Sequence, residues 1–219
     1  KDPDSEKYNY YNSAAFIPID GEKPIIYRKR RLVMFGEYIP FEKMLPFMKY
    51  LSPIGGSFSS GKRPVQFPLL GNKSKMAPII CFEDSFPHGV REHVLPETDL
   101  IVNLTNDGWF GKGPAQWQHA ANAVFRTIEN GVPMVRSCNN GLSCWIDSFG
   151  KVRRFFGEES GDIYGAGFVI FEIPILQSRN STFYNKYGDI FGWFCLVLSS
   201  VVVVISFVKR RLHMEDEIR

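Results

Sequence analysis

The sequence predicts an α/β fold, a layered sheet with helices packed on its faces, that carries one membrane-spanning helix near its C-terminal end. Three observations predict it: short apolar, β-branched runs recur along the chain, a stretch with helical spacing lies between them, and an unbroken apolar run closes the sequence. The runs read as buried strands are Ala14 to Ile19, Ala77 to Phe82, Leu100 to Thr105 and Gly167 to Ile173, together with Pro133 to Ser137 and Ser143 to Asp147. The helical stretch is Trp117 to Asn130, where Ala120, Ala121, Val124 and Ile128 recur at helical spacing. Asn130-Gly131 then supplies a stop, with Pro133 beyond it.

Ile190 to Val208 contains no formal charge. At about 1.5 Å per residue it extends roughly 28 Å, close to the thickness of a bilayer's hydrocarbon core. Buried helices of soluble proteins rarely run this long without a polar stripe. Lys209, Arg210 and Arg211 follow at once, which places the C-terminus in the cytoplasm and the preceding residues across the membrane, at the periplasmic or outer face. The division expected is therefore a domain over residues 1–180, then residues 181–219 with the membrane helix at about 190–208 and a short cytoplasmic tail.

Composition narrows the function. With 44% hydrophobic and 15% aromatic residues against 22% charged, the chain belongs among folded proteins with aromatic-rich cores. A net charge of +3, with no basic stripe interleaved with exposed aromatics, argues against nucleic acid as a partner. The four cysteines, Cys81, Cys138, Cys144 and Cys195, form no CxxC pair and lie near no histidine at zinc-finger spacing, so no metal is expected. Cys138 and Cys144 read either as buried thiols or, in an oxidising compartment, as a disulfide. Phe41 to Gly56, crowded with Phe, Met, Leu and Tyr, reads either as a helix on the core or as an arm that touches lipid. Ser57 to Arg63 reads as a flexible connector.

Three segments hold candidate chemistry. Cys81 ends an apolar strand and is followed two residues later by Glu83, at the place where α/β folds commonly carry their reactive groups. Alone, such a cysteine is more often a core residue. Tyr27 to Pro40 is a basic run leading into a turn that includes Glu37. Asn106 to Gly111 is a glycine-punctuated loop bearing Trp109 and Phe110, which reads as a packed cap or as a substrate contact.

Taken together, these segments resemble the carbon–nitrogen hydrolase (nitrilase) superfamily, whose catalytic set is a Glu, a Lys and a Cys. The narrower resemblance is to the apolipoprotein N-acyltransferases. It is carried by KRRLVMFGEYIP at Lys29 to Pro40, CFEDSFP at Cys81 to Pro87, TNDGWFG at Thr105 to Gly111, and QHAANAVFRTIENGVPMVRSCNNGLSCWID at Gln118 to Asp147, followed by the membrane helix. The resemblance implies a nitrilase-like layered α-β-β-α fold, incomplete at its N-terminus. It makes Cys81 the nucleophile and Lys29 the catalytic lysine, with Glu37 and Glu83 holding that lysine charged and oriented. Trp109, Phe110 and Phe82 would line the entrance for an acyl chain. The implied reaction moves a fatty acyl chain from a phospholipid donor to a diacylglyceryl apolipoprotein acceptor in the bacterial inner membrane, by a monomer needing no cofactor. A membrane-anchored amidase or nitrilase and a non-catalytic lipid- or lipoprotein-binding remnant are the rival readings. The family's general-base glutamate lies on an early strand well before the lysine segment. Neither Glu6 nor Glu22 has that setting, so the chain is expected to be an inactive fragment of a longer protein.

Overall fold

The computed structural model describes residues 8–42, 44, 47, 50, 56–69, 74–175 and 179–217. Two sheets organise them. Strands β1 (Ser13–Phe16) and β2 (Ile25–Arg28) form an antiparallel pair with Ala14 opposite Tyr27. The larger sheet contains β3 (Phe67–Leu69), β4 (Ser74–Ile80), β5 (Thr98–Asn106), β6 (Met134–Asn139), β7 (Cys144–Ile146) and β8 (Val152–Phe155), side by side in that order. Its centre, β4-β5-β6, is parallel, and the outer strands pair antiparallel. The crossovers carry α1 (Pro87–His93) and α2 (Ala115–Asn130), while α3 (Phe183–Tyr187) and α4 (Ile190–Glu217) follow the sheet.

The two-residue period of β4 separates two cores. Ala77 and Ile79 face the helices and pack with Val90, Ala123 and Met134, whereas Met76 and Ile80 face the small sheet and pack with Ala14, Tyr27 and Phe67. Both crossovers step the same way along the sheet, and right-handed crossovers then put α1 and α2 on one face. The small sheet covers the other. The described residues thus supply a helix-sheet-sheet stack. Pro78 sits in β4 beyond the end of β3, where no neighbouring strand needs its missing N–H, and its carbonyl meets His93 Nδ1 at 3.0 Å.

Several expectations change. The strand expected at Gly167 to Ile173 is absent: the segment pairs with none of the described strands, and Phe168 and Ile170 are exposed. Its apolar residues alternate toward solvent and have no sheet edge to join. Ser57 to Arg63 is stitched down, with Phe58 N donating to Glu37 O, Gly61 N to Lys29 O and Ser60 Oγ to Arg30 O. A Cβ on Gly61 would fall 2.1 Å from Arg28 O, so the glycine permits this close approach. Most of Phe41 to Gly56 lies outside the described residues. Helix α2 keeps only part of its expected face: Ala120 is buried and Val124 packs on the core, but Ala121 and Ile128 point outward, while Gln116, His119, Arg126, Thr127 and Asn130 join Ala120 and Ala123 on the buried side. The helix stops, as its sequence suggests, on Gly131 in the left-handed region at φ 64°. Cys138 and Cys144 are separate thiols.

The apolar run forms a helix whose membrane-length part is Ile190–Arg211, none of it buried against the rest of the chain. It is reached through a hydrogen-bonded junction. Arg91 donates to the carbonyls of Tyr184, Asn185 and Lys186, and Arg179 donates to those of Asn130 and Leu95.

Candidate active site

The carboxyl ends of the three parallel strands deliver their last residues to one cavity of about 940 Å³. From the end of β4 and the turn that follows it come Ile80, Cys81 and Phe82; from β5, Leu104 to Asn106; from β6, Ser137 to Asn139. Lys29 and Glu37 border the same cavity, as do Trp109, Phe110 and His119.

Cys81 opens a 3₁₀ turn, Cys81–Ser85, with φ 52°. A non-glycine residue in the left-handed region costs free energy and persists only where its surroundings impose it. Two groups impose it here. Asn103 Nδ2 donates to Cys81 O at 3.3 Å, and Glu83 Oε2 accepts Ile80 N at 2.7 Å.

Lys29 is 1% exposed. Its Nζ lies 2.9 and 2.7 Å from the two oxygens of Glu37, which also accept Val33 N at 2.8 Å and Asn12 Nδ2 at 2.7 Å. The burial of this ammonium is thereby offset by a carboxylate whose remaining lone pairs are filled. Glu83 does not share the task expected of it. Its carboxylate is buried beneath the turn, where it accepts Tyr27 Oη at 2.8 Å, Arg30 N at 2.7 Å and Arg31 N at 3.1 Å, besides Ile80 N. It therefore fastens the end of β2, next to Lys29, to the end of β4, next to Cys81. Buried beside this carboxylate, the Tyr27 hydroxyl is pushed far above its ordinary pKa, by desolvation first and by the charge of Glu83 second. His93, edge-on to Tyr27 at 4.9 Å, is driven down to about 4 by burial and by Arg30, and so stays neutral.

A second polar cluster underlies the cavity. Asp84 and Asp107 each begin or belong to a 3₁₀ turn that lines it, the first turn carrying Cys81 and Phe82, the second, Asp107–Phe110, carrying Trp109 and Phe110. His119 Nδ1 meets Asp107 Oδ1 at 2.8 Å and Nε2 meets Asp84 Oδ1 at 3.0 Å. Arg136 reaches Asp84 Oδ2 through Nη1 and Asp107 Oδ2, at 3.5 Å, through Nη2. Burial works against a charged His119, but its bonds to Asp107 and Asp84 prevail and raise it to about 9. Burial likewise works against the Asp107 carboxylate, and its bond from His119 with the charge of Arg136 holds it below the usual range. Desolvation lifts the Cys138 thiol to about 12 and Cys144 to about 11, despite the nearby guanidinium. Cys138 also borders the cavity, but it belongs to the strand β6, whereas Cys81 begins the turn after β4 beside the Lys29 wall and is the candidate nucleophile.

Trp109 is 77% exposed at the rim, with Phe110 and Phe82 beside it, so the three aromatics border the opening. Tyr27, Asp84, His119 and Arg136 carry no role expected from the sequence. One signal was available: polar residues at 116, 119, 126, 127 and 130 trace a single helical face.

Residues 2–170 match the carbon-nitrogen hydrolase family. Among curated relatives, an apolipoprotein N-acyltransferase from Geobacter metallireducens is 35% identical over 96% of this chain and 39% of its own length. One from Rhizobium rhizogenes is 38% identical over 92% of this chain and 37% of its own. The chain thus spans about two fifths of the length of these relatives. A solved amidase from Nesterenkonia sp. superposes with a TM-score of 0.48 at 18% identity, covering 66% of this chain and 50% of the amidase.

Proposed function

The chain belongs to the carbon-nitrogen hydrolase family, and from that premise we propose that it is the catalytic part of a membrane acyltransferase that acylates the N-terminus of diacylglyceryl apolipoproteins. The observation that carries the proposal is the cavity itself, in which the Cys81 thiol and the buried Lys29 ammonium share a wall under an aromatic rim. The names of the relatives support acyl transfer as the class of reaction.

In the proposed first step the Cys81 thiolate attacks the carbonyl carbon of a phospholipid ester. A C–S bond forms, the C–O bond breaks, and the lysophospholipid alkoxide leaves with a proton. Lys29 stabilises the oxyanion that develops, and Glu37 holds the Lys29 Nζ in place. In the second step the α-amino group of the apolipoprotein attacks the thioester. A C–N bond forms, the C–S bond breaks, and the sulfur regains its proton. Glu37 is the one carboxylate among the described residues that borders the cavity, and its oxygens are already occupied by Lys29, Val33 and Asn12. The proposal assigns the initial thiol proton to a glutamate in the part of the relatives that this chain does not span.

Trp109, Phe110 and Phe82 are assigned to the entering acyl chain. Residues 1–180 form the catalytic part, and α4 crosses the bacterial inner membrane with Lys209, Arg210 and Arg211 on the cytoplasmic side, which sets the cavity at the periplasmic face. The test is to incubate the full-length protein with phospholipid labelled in its acyl chain and to recover the acyl-enzyme by denaturation. A thioester that Cys81→Ala abolishes supports the reaction. Absence of long-chain label on the wild type, with release of ammonia from small amides, would mean an amidase and overturn the proposal.

A further inference from the structure

We infer that His119 and Arg136 are positioning residues that hold the turn carrying the nucleophile and the turn carrying the aromatic rim in fixed register. Cys81–Ser85 follows β4 and Asp107–Phe110 follows β5, so the two turns are neighbours through the parallel pairing of their strands but share no ladder bond. Each contributes one wholly buried aspartate, Asp84 or Asp107. Each aspartate is gripped twice by the same two cations: the imidazole on α2 spans both with its two ring nitrogens, and the guanidinium on β6 spans both with two of its own.

Three further contacts extend the grip. Asn103 Nδ2 donates both to Asp84 Oδ2 at 2.8 Å and to Cys81 O, so the anchored carboxylate and the left-handed nucleophile share one amide. Thr105 Oγ1 donates to Asp107 Oδ1 at 3.1 Å. Across from it, a Cβ on Gly141 would lie 2.5 Å from Asp107 Cβ, so the absence of a side chain at 141 is what lets Asp107 sit there.

Both ring nitrogens of His119 face carboxylate oxygens at 2.8 and 3.0 Å, closer than Arg136 Nη2 at 3.4 Å from Nδ1, an arrangement that favours a doubly protonated imidazolium. With His119 and Arg136 positive and the two aspartates negative, the cluster is neutral. His119 therefore has no lone pair to offer as a base, although it borders the cavity. Its work is done through the turns, and a misplacement of one turn by about 1 Å against the other is enough to slow a reaction about a hundredfold.

Charge balance supplies the test. His119→Gln leaves one carboxylate uncompensated, and adding Asp107→Asn restores neutrality with Asp84 and Arg136. For the single variant we expect the rate of Cys81 alkylation by iodoacetamide, per folded molecule, to fall about tenfold or more. In phospholipid assays kcat should fall and KM should rise together, because both turns shift. The double variant should recover most of the lost alkylation rate. The kinetic half of the test rests on the acyl-transfer proposal, whereas the alkylation half does not, so the two ideas can fail separately. A purely structural His119 would lower the folded fraction and leave the alkylation rate and KM of the folded molecules at wild-type values, which would overturn the inference. A double variant no better than the single would overturn it too. If His119→Gln does not fold, Arg136→Lys keeps the charge but gives up the fork, and the same two readouts apply.

Discussion

Replacing Glu83 by Gln changes almost no volume but converts an acceptor-only group into one that is half donor. The carboxylate accepts Ile80 N at Oε2 and Arg30 N and Arg31 N at Oε1, with Tyr27 Oη 2.8 Å from each oxygen. If the new amide nitrogen occupies the Oε2 position, it faces the Ile80 N–H and that donor is orphaned; in the opposite orientation, two donors are orphaned. The better orientation loses one charge-assisted bond and leaves one buried N–H unpaired, on the order of 2–3 kcal/mol. For a domain of this size that corresponds to a fall in unfolding temperature of roughly 4–12 °C. The larger consequence is geometric, because the lost bond is at the end of β4, directly before Cys81, while the surviving bonds stay with β2. Thermal unfolding and Cys81 alkylation, measured on the same preparation, should therefore both change: a lower midpoint and slower labelling at temperatures where the protein is fully folded. An unchanged midpoint together with wild-type labelling would refute the claim that Glu83 fastens the two strand ends.

Lys29→Met should destabilise the protein by about 3–5 kcal/mol in denaturant titrations, since it strands the Glu37 carboxylate; adding Glu37→Gln should restore stability but not activity. Stability should depend on pH through two histidines of opposite sign. His119 has its pKa raised to about 9, so its contribution is fully present below the unfolded value near 6.5 and is lost as pH rises through 9, on the order of 3 kcal/mol; His119→Gln should flatten that alkaline limb. His93 is lowered to about 4, so protonation of the unfolded chain removes stability as pH falls from about 6.5 toward 4, and His93→Gln should flatten the acid limb. With iodoacetamide near pH 8, Cys138 and Cys144 should label far more slowly than Cys81, because groups at about 12 and about 11 are thiolate in only roughly one molecule in ten thousand and one in a thousand. Mass spectrometry of the labelled chain reads all three sites at once.

The parallel centre of the sheet was legible because β4, β5 and β6 each carry a short, largely buried apolar stretch, Ala77 to Ile80, Leu100 to Val102 and Met134 to Val135, although β5 and β6 also bury Asn103 and Arg136. The short strands β2, β3 and β8 were not. Ile25–Arg28 merges into a basic run, and Val152–Phe155 is half arginine, so neither presents an apolar period. Gly167 to Ile173 shows the converse failure, an apolar segment with no partner edge among the described strands. Cys81, Lys29 and Glu37 are marked by motifs and border one cavity, while Glu83, expected beside Lys29, bonds to Tyr27 and to backbone N–H groups instead, because sequence distance cannot say which strand end a carboxylate reaches. The cluster around His119 escaped because apolar periodicity cannot show it: the buried side of α2 mixes Ala120 and Ala123 with Gln116, His119, Arg126, Thr127 and Asn130, and the exposed side carries Phe125 and Ile128.

The left-handed backbone at Cys81 also bears on how such a chain would change once its reaction was no longer needed. A side chain there costs roughly 1 kcal/mol that glycine does not incur. If Cys81 is the nucleophile as proposed, selection for its thiol opposes a substitution that would relieve this backbone cost. Descendants freed from catalysis should accumulate glycine or asparagine at this position early, so a Cys81→Gly form that outlasts its parent on heating would be the signature of a retired enzyme.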